Sequence, residues 1–102
     1  MSFESTQLEI IRWAEQRKII PNSTPTAQFM KAVSEMGELS DALTKNDMDY
    51  IRDSVGDVLV CLINMCALLD INIVSCLDGS YEEIKNRKGT MLPSGVFLKE
   101  RT

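Results

Sequence analysis

The stretch SEMGELSDAL, Ser34 to Leu43, sets Glu35 and Glu38 three residues apart in a run that otherwise favours helix, with Gly37 between them. The next helix-favouring run contains DSVGDVLVCL, Asp53 to Leu62, where Asp53 and Asp57 stand on either side of Ser54 and Gly56. Only the polar interval KNDMD, Lys45 to Asp49, separates the two runs. Apolar-rich helical runs joined by so short a connection are expected to fold back on each other as an antiparallel hairpin, which makes this pair the centre of the fold.

Outward from the hairpin, the pattern predicts two further helices and a tail. A first helix is expected over Thr6 to Lys18, where Thr6 and Glu9 make a capping-box pattern, Leu8, Ile11 and Trp13 supply apolar positions, and Pro21 closes the region. The second starts at Pro25, a favoured first-turn proline after Thr24, and reaches Thr44; the third ends near Leu69. The fourth is expected over Ile73 to Lys88, stopped by Gly89, with Asp78-Gly79-Ser80 as the place where it would kink. The tail TMLPSGVFLKE holds a Pro-Ser-Gly turn between apolar residues and reads as a short extended flap. No run alternates strictly between polar and apolar residues, so the class is all-α, a single four-helix domain over residues 1–102 with an extended tail.

Composition narrows the chemistry. A chain of 102 residues, 44% of them hydrophobic, supports one core and leaves apolar surface that association with further copies would hide. Its net charge of −4, with no basic cluster larger than KNRK (Lys85 to Lys88), argues against nucleic acid as a partner and means that an anionic ligand needs a cation to mediate. With no histidine, Ser-His-Asp and Cys-His catalysis and His-containing zinc sites are excluded. Cys61, Cys66 and Cys76 are odd in number, lack CxxC spacing and lie in apolar runs, so buried free thiols in a reducing compartment are expected. The N-terminus has no signal-peptide pattern. The longest apolar run, Val58 to Leu69, contains Asn64 and is shorter than a membrane span needs, so a soluble, cytoplasmic protein with no membrane partner is the expectation.

At 100° per residue, Phe29, Ala32, Val33, Met36, Ser40 and Leu43 form the apolar stripe of the second helix, while Lys31, Glu35, Glu38 and Ala42 share the adjoining face. In the third helix, Asp57 and Asn64 are the polar groups of an apolar run, and with Asp53 they fall on one line, as for a helix buried on nearly all sides. Unpaired buried carboxylates cost several kcal/mol, so Glu35, Glu38, Asp53 and Asp57 brought together would require a cation. Hard oxygen donors without His or thiolate suit Mg²⁺ or Mn²⁺. Gly37 and Gly56 would let the two backbones approach closely there. Taken singly, Glu35 and Glu38 also read as solvated residues near Lys31, and Lys31, Lys85, Arg87 and Lys88 as solubilising charge; Trp13 and Tyr81 read as core or interface aromatics.

These residues resemble the MazG-like members of the all-α nucleoside triphosphate pyrophosphohydrolases, whose pattern is ExxE, a spacer, then ExxD. Here EMGEL supplies ExxE (Glu35, Glu38) and SVGD stands for ExxD (Ser54, Asp57), while RWAEQRKII, AQFMKAVSE and IKNRKGTMLPSGVFLKE are similar to flanking segments of short members, phage-encoded ones included. The resemblance implies Mg²⁺-dependent hydrolysis of a nucleoside triphosphate to monophosphate and pyrophosphate, in a homodimer or homotetramer whose subunits share active sites. It implies that Glu35, Glu38 and Asp57 are catalytic and hold Mg²⁺, or Mn²⁺; Asp53, one turn from Asp57, is expected to supply a fourth carboxylate directly or through a metal-bound water. Lys31, Lys85, Arg87 and Lys88 would hold phosphates and Asn64 would reach the nucleotide. Two departures stand out: the family's third acidic ligand falls on Ser54, and Ser34 occupies a position where many members carry a further glutamate. A non-catalytic helical module that keeps the fold and binds a nucleotide or a protein is the alternative.

Overall fold

The computed structural model describes residues 1–100. Five helices and a terminal hairpin follow in order: α1 (Phe3–Gln16), α2 (Ile19–Asn22), α3 (Pro25–Lys45), α4 (Met48–Leu68), α5 (Ile73–Ile84), β1 (Gly89–Met91) and β2 (Phe97–Lys99). The class is all-α, as the patterning implies, and the helix pair α3 and α4 forms its centre. Asn46, in the left-handed conformation at φ 53°, ends α3, and the side chain of Asp47 accepts from the Tyr50 N–H at 3.2 Å to begin α4. Two residues thus reverse the chain, because Asn tolerates that backbone region and Asp satisfies an orphan N–H of the next helix.

The beginning of α3 follows the sequence closely: Thr24 Oγ1 accepts from the Ala27 N–H at 3.1 Å, with Pro25 in the first turn. The beginning of α1 does not. Its cap is Ser2, not Thr6, and the reciprocal bonds run between Ser2 and Ser5, each backbone N–H donating to the other's Oγ at 3.0 Å. Glu9, expected to close a capping box, instead accepts from Arg12 at 2.7 Å. A fifth helix, the single turn α2, contains Pro21, which was expected to close the region. Proline fits there because N–H groups in a first turn have no partner inside the helix. α5 runs unbroken through Gly79 and ends at Ile84, short of Lys88. The tail forms an antiparallel hairpin in which Gly89 pairs with Lys99 and Met91 with Phe97. Gly89 is required: a Cβ there would lie 2.3 Å from the Leu98 carbonyl oxygen.

The core is thin. Its buried apolar side chains are Ala14, Ala32, Ala42, Cys61, Ile63 and Cys66. The predicted stripe of α3 is corrected by this: Ala32 is buried, but Phe29, Val33, Met36 and Leu43 stand about half exposed, while Glu35 and Ala42 point inward. α4 is covered chiefly by α3 and α1, with smaller contacts from α2 and α5, and Val55 and Leu59 remain exposed. Gly37 and Gly56 do not mediate close approach, since a Cβ at either would meet nothing within 4 Å. Both are exposed, on helix faces turned away from the α3–α4 seam. Of the expected buried thiols, Cys61 and Cys66 are buried and Cys76 is exposed. Trp13 and Tyr81, read as core or interface aromatics, are exposed in the single chain. No single described helix is long and apolar enough to cross a membrane.

Candidate metal and nucleotide site

Glu35 and Glu38 lie one turn apart on α3, which brings both to the seam with α4 at different depths. Glu35 is buried, with 7% of its surface accessible, and Glu38 is exposed. Glu35 Oε1 accepts from Lys31 Nζ at 3.1 Å, whereas Oε2 is buried without a donor. Glu38 adjoins Glu35, and its carboxyl pKa is raised because a proton on it supplies a hydrogen bond to Glu35, whose negative charge also favours the neutral form. Glu35 is held correspondingly low, first by that hydrogen bond and then by Lys31. The charge of Asp57, across the seam on α4, adds to the rise at Glu38. Cys61 stands near Glu35 and Lys31; burial pushes its thiol pKa up, with the Glu35 carboxylate adding, so it stays a neutral wall rather than a thiolate ligand.

Asp53 is one turn before Asp57 and opens elsewhere. Both aspartates are exposed and border a groove of about 520 Å³ between α1 and α4, walled by Phe3, Ile10, Leu59 and Val60. The expected convergence of Glu35, Glu38, Asp53 and Asp57 into one desolvated cluster is therefore not met within this chain. Among the described residues, no three His, Cys, Asp or Glu side chains gather closely enough to hold an ion. Helix geometry gives the reason: Asp53 sits 100° round α4 from Ser54, the residue that points into the seam. Ser54 is 1% exposed and is the most deeply buried position on this part of α4.

Asn64, two turns beyond Asp57, is buried with Oδ1 lacking a donor. Lys31 is at the site. Lys85, Arg87 and Lys88 are not: Lys85 pairs with Glu82 at 2.6 Å, and Arg87 and Lys88 line a groove of about 800 Å³ beneath the terminal hairpin whose walls include no residue of α3 or α4. Two residues escaped the sequence reading. Gln7 on α1 is buried with Oε1 unpartnered, detectable from its seven-residue spacing to buried Ala14. Tyr50, seven residues before Asp57 and so on the same side of α4, has its phenol pKa raised by burial and then by the charges of Glu38 and Asp41.

The three carboxylates are not gathered into a closed shell in this chain, but their donor chemistry suits a hard divalent cation. A buried carboxylate with an orphan oxygen, a second carboxylate one turn away and a third across the seam offer oxygen alone, with the nearby sulfur kept neutral.

The sequence over residues 23–92 matches the family of MazG nucleotide pyrophosphohydrolase domains. An uncharacterized 18.2 kDa protein encoded in the rep-hol intergenic region of Haemophilus phage HP1 (strain HP1c1) is 44% identical over 54 residues, 53% of this chain. The matched segment is 33% of that protein, so this chain spans about a third of its relative's length. Among solved structures, a Cyanophage S-2L MazG-like pyrophosphohydrolase bound to dGDP and three catalytic Mn²⁺ ions per active site superposes with a TM-score of 0.73 over 99% of both chains. At 21% identity that similarity establishes the shared fold.

Proposed function

This chain belongs to the MazG nucleotide pyrophosphohydrolase domain family, and we propose that it hydrolyses a nucleoside or deoxynucleoside triphosphate to the monophosphate and pyrophosphate with Mg²⁺ or Mn²⁺. The observation that carries the proposal is Glu35: a family-pattern carboxylate buried in the α3–α4 seam with one oxygen unpartnered and a second acid one turn away. An orphaned buried carboxylate oxygen costs free energy that a ligand recovers. The dGDP and Mn²⁺ in the similarly folded cyanophage protein support a nucleotide and a divalent metal here as well.

In this reading Glu35, Glu38 and Asp57 hold the cation, and Asp53 stands at the edge of the set. The bound cation neutralises phosphate oxygens and lowers the pKa of a water. Glu35 is fixed by burial and gives the site its position, while Glu38, exposed and able to give up its proton, adapts to the ligand. Lys31 offers positive charge to the phosphates, and Asn64 offers an amide to the nucleotide. For Lys85, Arg87 and Lys88 to join them, a second copy must bring its hairpin groove to α3. A homodimer or homotetramer is part of the proposal, supported by the half-exposed apolar face of Phe29, Val33, Met36 and Leu43, and the cytoplasmic nucleotide pool is its setting.

Incubating the protein with a panel of canonical and modified NTPs and dNTPs, in Mg²⁺ and in Mn²⁺, tests this. Monophosphate plus pyrophosphate from at least one nucleotide, abolished by EDTA, is the expected result. Diphosphate plus orthophosphate, or no turnover at any protein concentration, rejects it. The second reading, a binding module without catalysis, is favoured by Ser54, which puts a hydroxyl at the buried seam position where the family pattern has an acid. Nucleotide binding without turnover would select it.

A further inference from the structure

Five ion pairs join side chains of the described chain, and four of them, Arg12–Glu9, Lys45–Asp41, Arg52–Asp49 and Lys85–Glu82, engage acids that are at least half exposed. The fifth differs. Lys31 Nζ lies 3.1 Å from Glu35 Oε1, and the Glu35 side chain is only 9% exposed while that of Lys31 is 62% exposed. A fixed, buried anion is thus held by a cation whose stem lies in solvent and is free to swing away. No group other than a protonated Glu38 donates to the other Glu35 oxygen, so the lysine satisfies half of the carboxylate and an ionised Glu38 leaves the rest open to an incoming ligand.

We infer that Lys31 is an exchangeable internal cation, which occupies Glu35 while the site is free of metal and withdraws when a divalent ion takes that carboxylate. The inference rests on the metal-dependent reading above. A lone lysine suits the role better than an arginine would. An ammonium is a single point donor on a flexible stem, whereas a guanidinium would clamp both carboxylate oxygens and release them reluctantly. Lys31 therefore opposes metal binding in the absence of nucleotide, because the ion pair must open before the carboxylate becomes available, and it leaves a free positive charge at the rim once metal is bound. The population of metal-competent sites sets the apparent affinity.

The test is calorimetric titration of Mn²⁺ into the nucleotide-free parent and into K31M, K31Q and K31R, with no turnover measured. Lys31 is exposed, so the methionine and glutamine variants are expected to fold as the parent does and to agree with each other. Both should bind Mn²⁺ roughly two- to fivefold more tightly than the parent, the factor corresponding to one partly exposed ion pair. K31R should bind no more tightly than the parent. If the parent binds Mn²⁺ and both neutral variants bind it equally well or more weakly, the exchange role is overturned and Lys31 is either a surface charge or a support of the metal shell. If the parent takes up no Mn²⁺ at millimolar concentration, the proposed function falls, and this inference with it.

Discussion

Glu38 and Glu35, one turn apart on α3, are shifted in opposite directions: Glu35 is held low by a hydrogen bond from a protonated Glu38 and by Lys31, and Glu38 is raised by that same bond and by the Glu35 charge. Two acids at i and i+3 repel when both are ionised. One proton between them converts that repulsion into a hydrogen bond. The arrangement links pH, metal and stability in a way that each prediction below uses.

The first concerns pH. Glu38 has a folded-state pKa raised above its unfolded value, so its contribution to stability is complete below the ordinary carboxylate range and is lost as pH rises through the raised value. Glu35, held low, contributes above that range and loses its contribution as pH falls through its own depressed value. Glu38→Gln keeps a donor beside Glu35 but has no proton to lose. In EDTA, the melting temperature of E38Q relative to the parent should rise as pH climbs from the ordinary carboxylate value through the raised value of Glu38, and level off beyond it. A difference that is flat with pH would contradict the shared proton.

Asp57→Asn separates metal binding from folding. Asp57 is exposed and belongs to no set of three close acids, so relief of strain in the metal-free chain is not expected. In EDTA the variant should match the parent within about 0.5 kcal/mol, the usual range for a surface substitution. Excess Mg²⁺ or Mn²⁺ should raise the parent's melting temperature by binding its folded form and do much less for D57N. Paired thermal melts decide it, and a parent indifferent to both ions would count against the site.

Ser54→Glu asks whether the seam position is a vacant ligand position. Ser54 is 1% exposed, so a glutamate there buries charge and should cost the metal-free protein about 1–3 kcal/mol. Mn²⁺ should return more stability to S54E than it gives the parent, because the added carboxylate gains a cation. Calorimetric scans with and without the ion report both effects. An S54E whose loss is unaffected by Mn²⁺ shows that the seam does not lead to the metal.

The apolar face of α3 yields a prediction about assembly. Phe29, Val33 and Met36 are only about half covered by this chain, with Met36 53% exposed. Glutamate at Phe29 and Val33 together should leave the isolated fold intact and convert a sedimenting dimer or tetramer to single chains. A parent that already sediments as a single chain at micromolar concentration removes the need for the interface.

Much of this was legible in the chain itself. Thr24-Pro25 marks the start of α3 as expected, since capping is local chemistry acting over three or four positions, while the connection read as Lys45 to Asp49 is only Asn46-Asp47, because α4 begins earlier, at Met48. The pairing of Glu35 with Lys31 and the line of Asp57 and Asn64 follow from helical spacing. The start of α1 was misread because Ser2-Ser5 and Thr6-Glu9 are both competent caps, and only the packing of Gln7 and Ala14 against α4 selects the earlier one.

What the sequence by itself determined is the four longer helices, the hairpin at their centre and the identity of the acids, because hydrogen-bond periodicity and capping act between near neighbours. What the tertiary structure alone decided is which face of each helix lies inside. α3 turns Glu35 and Ala42 inward and leaves Phe29 and Met36 in solvent, although by hydrophobicity the choice runs the other way. Hydrophobic burial has no direction of its own: it rewards any covered apolar surface, so a face is buried only where another helix lies against it. With α4 covering one side of α3, Asp53 opens toward α1 and Arg87 and Lys88 lie under a hairpin remote from the carboxylates, placements that no spacing along the chain encodes.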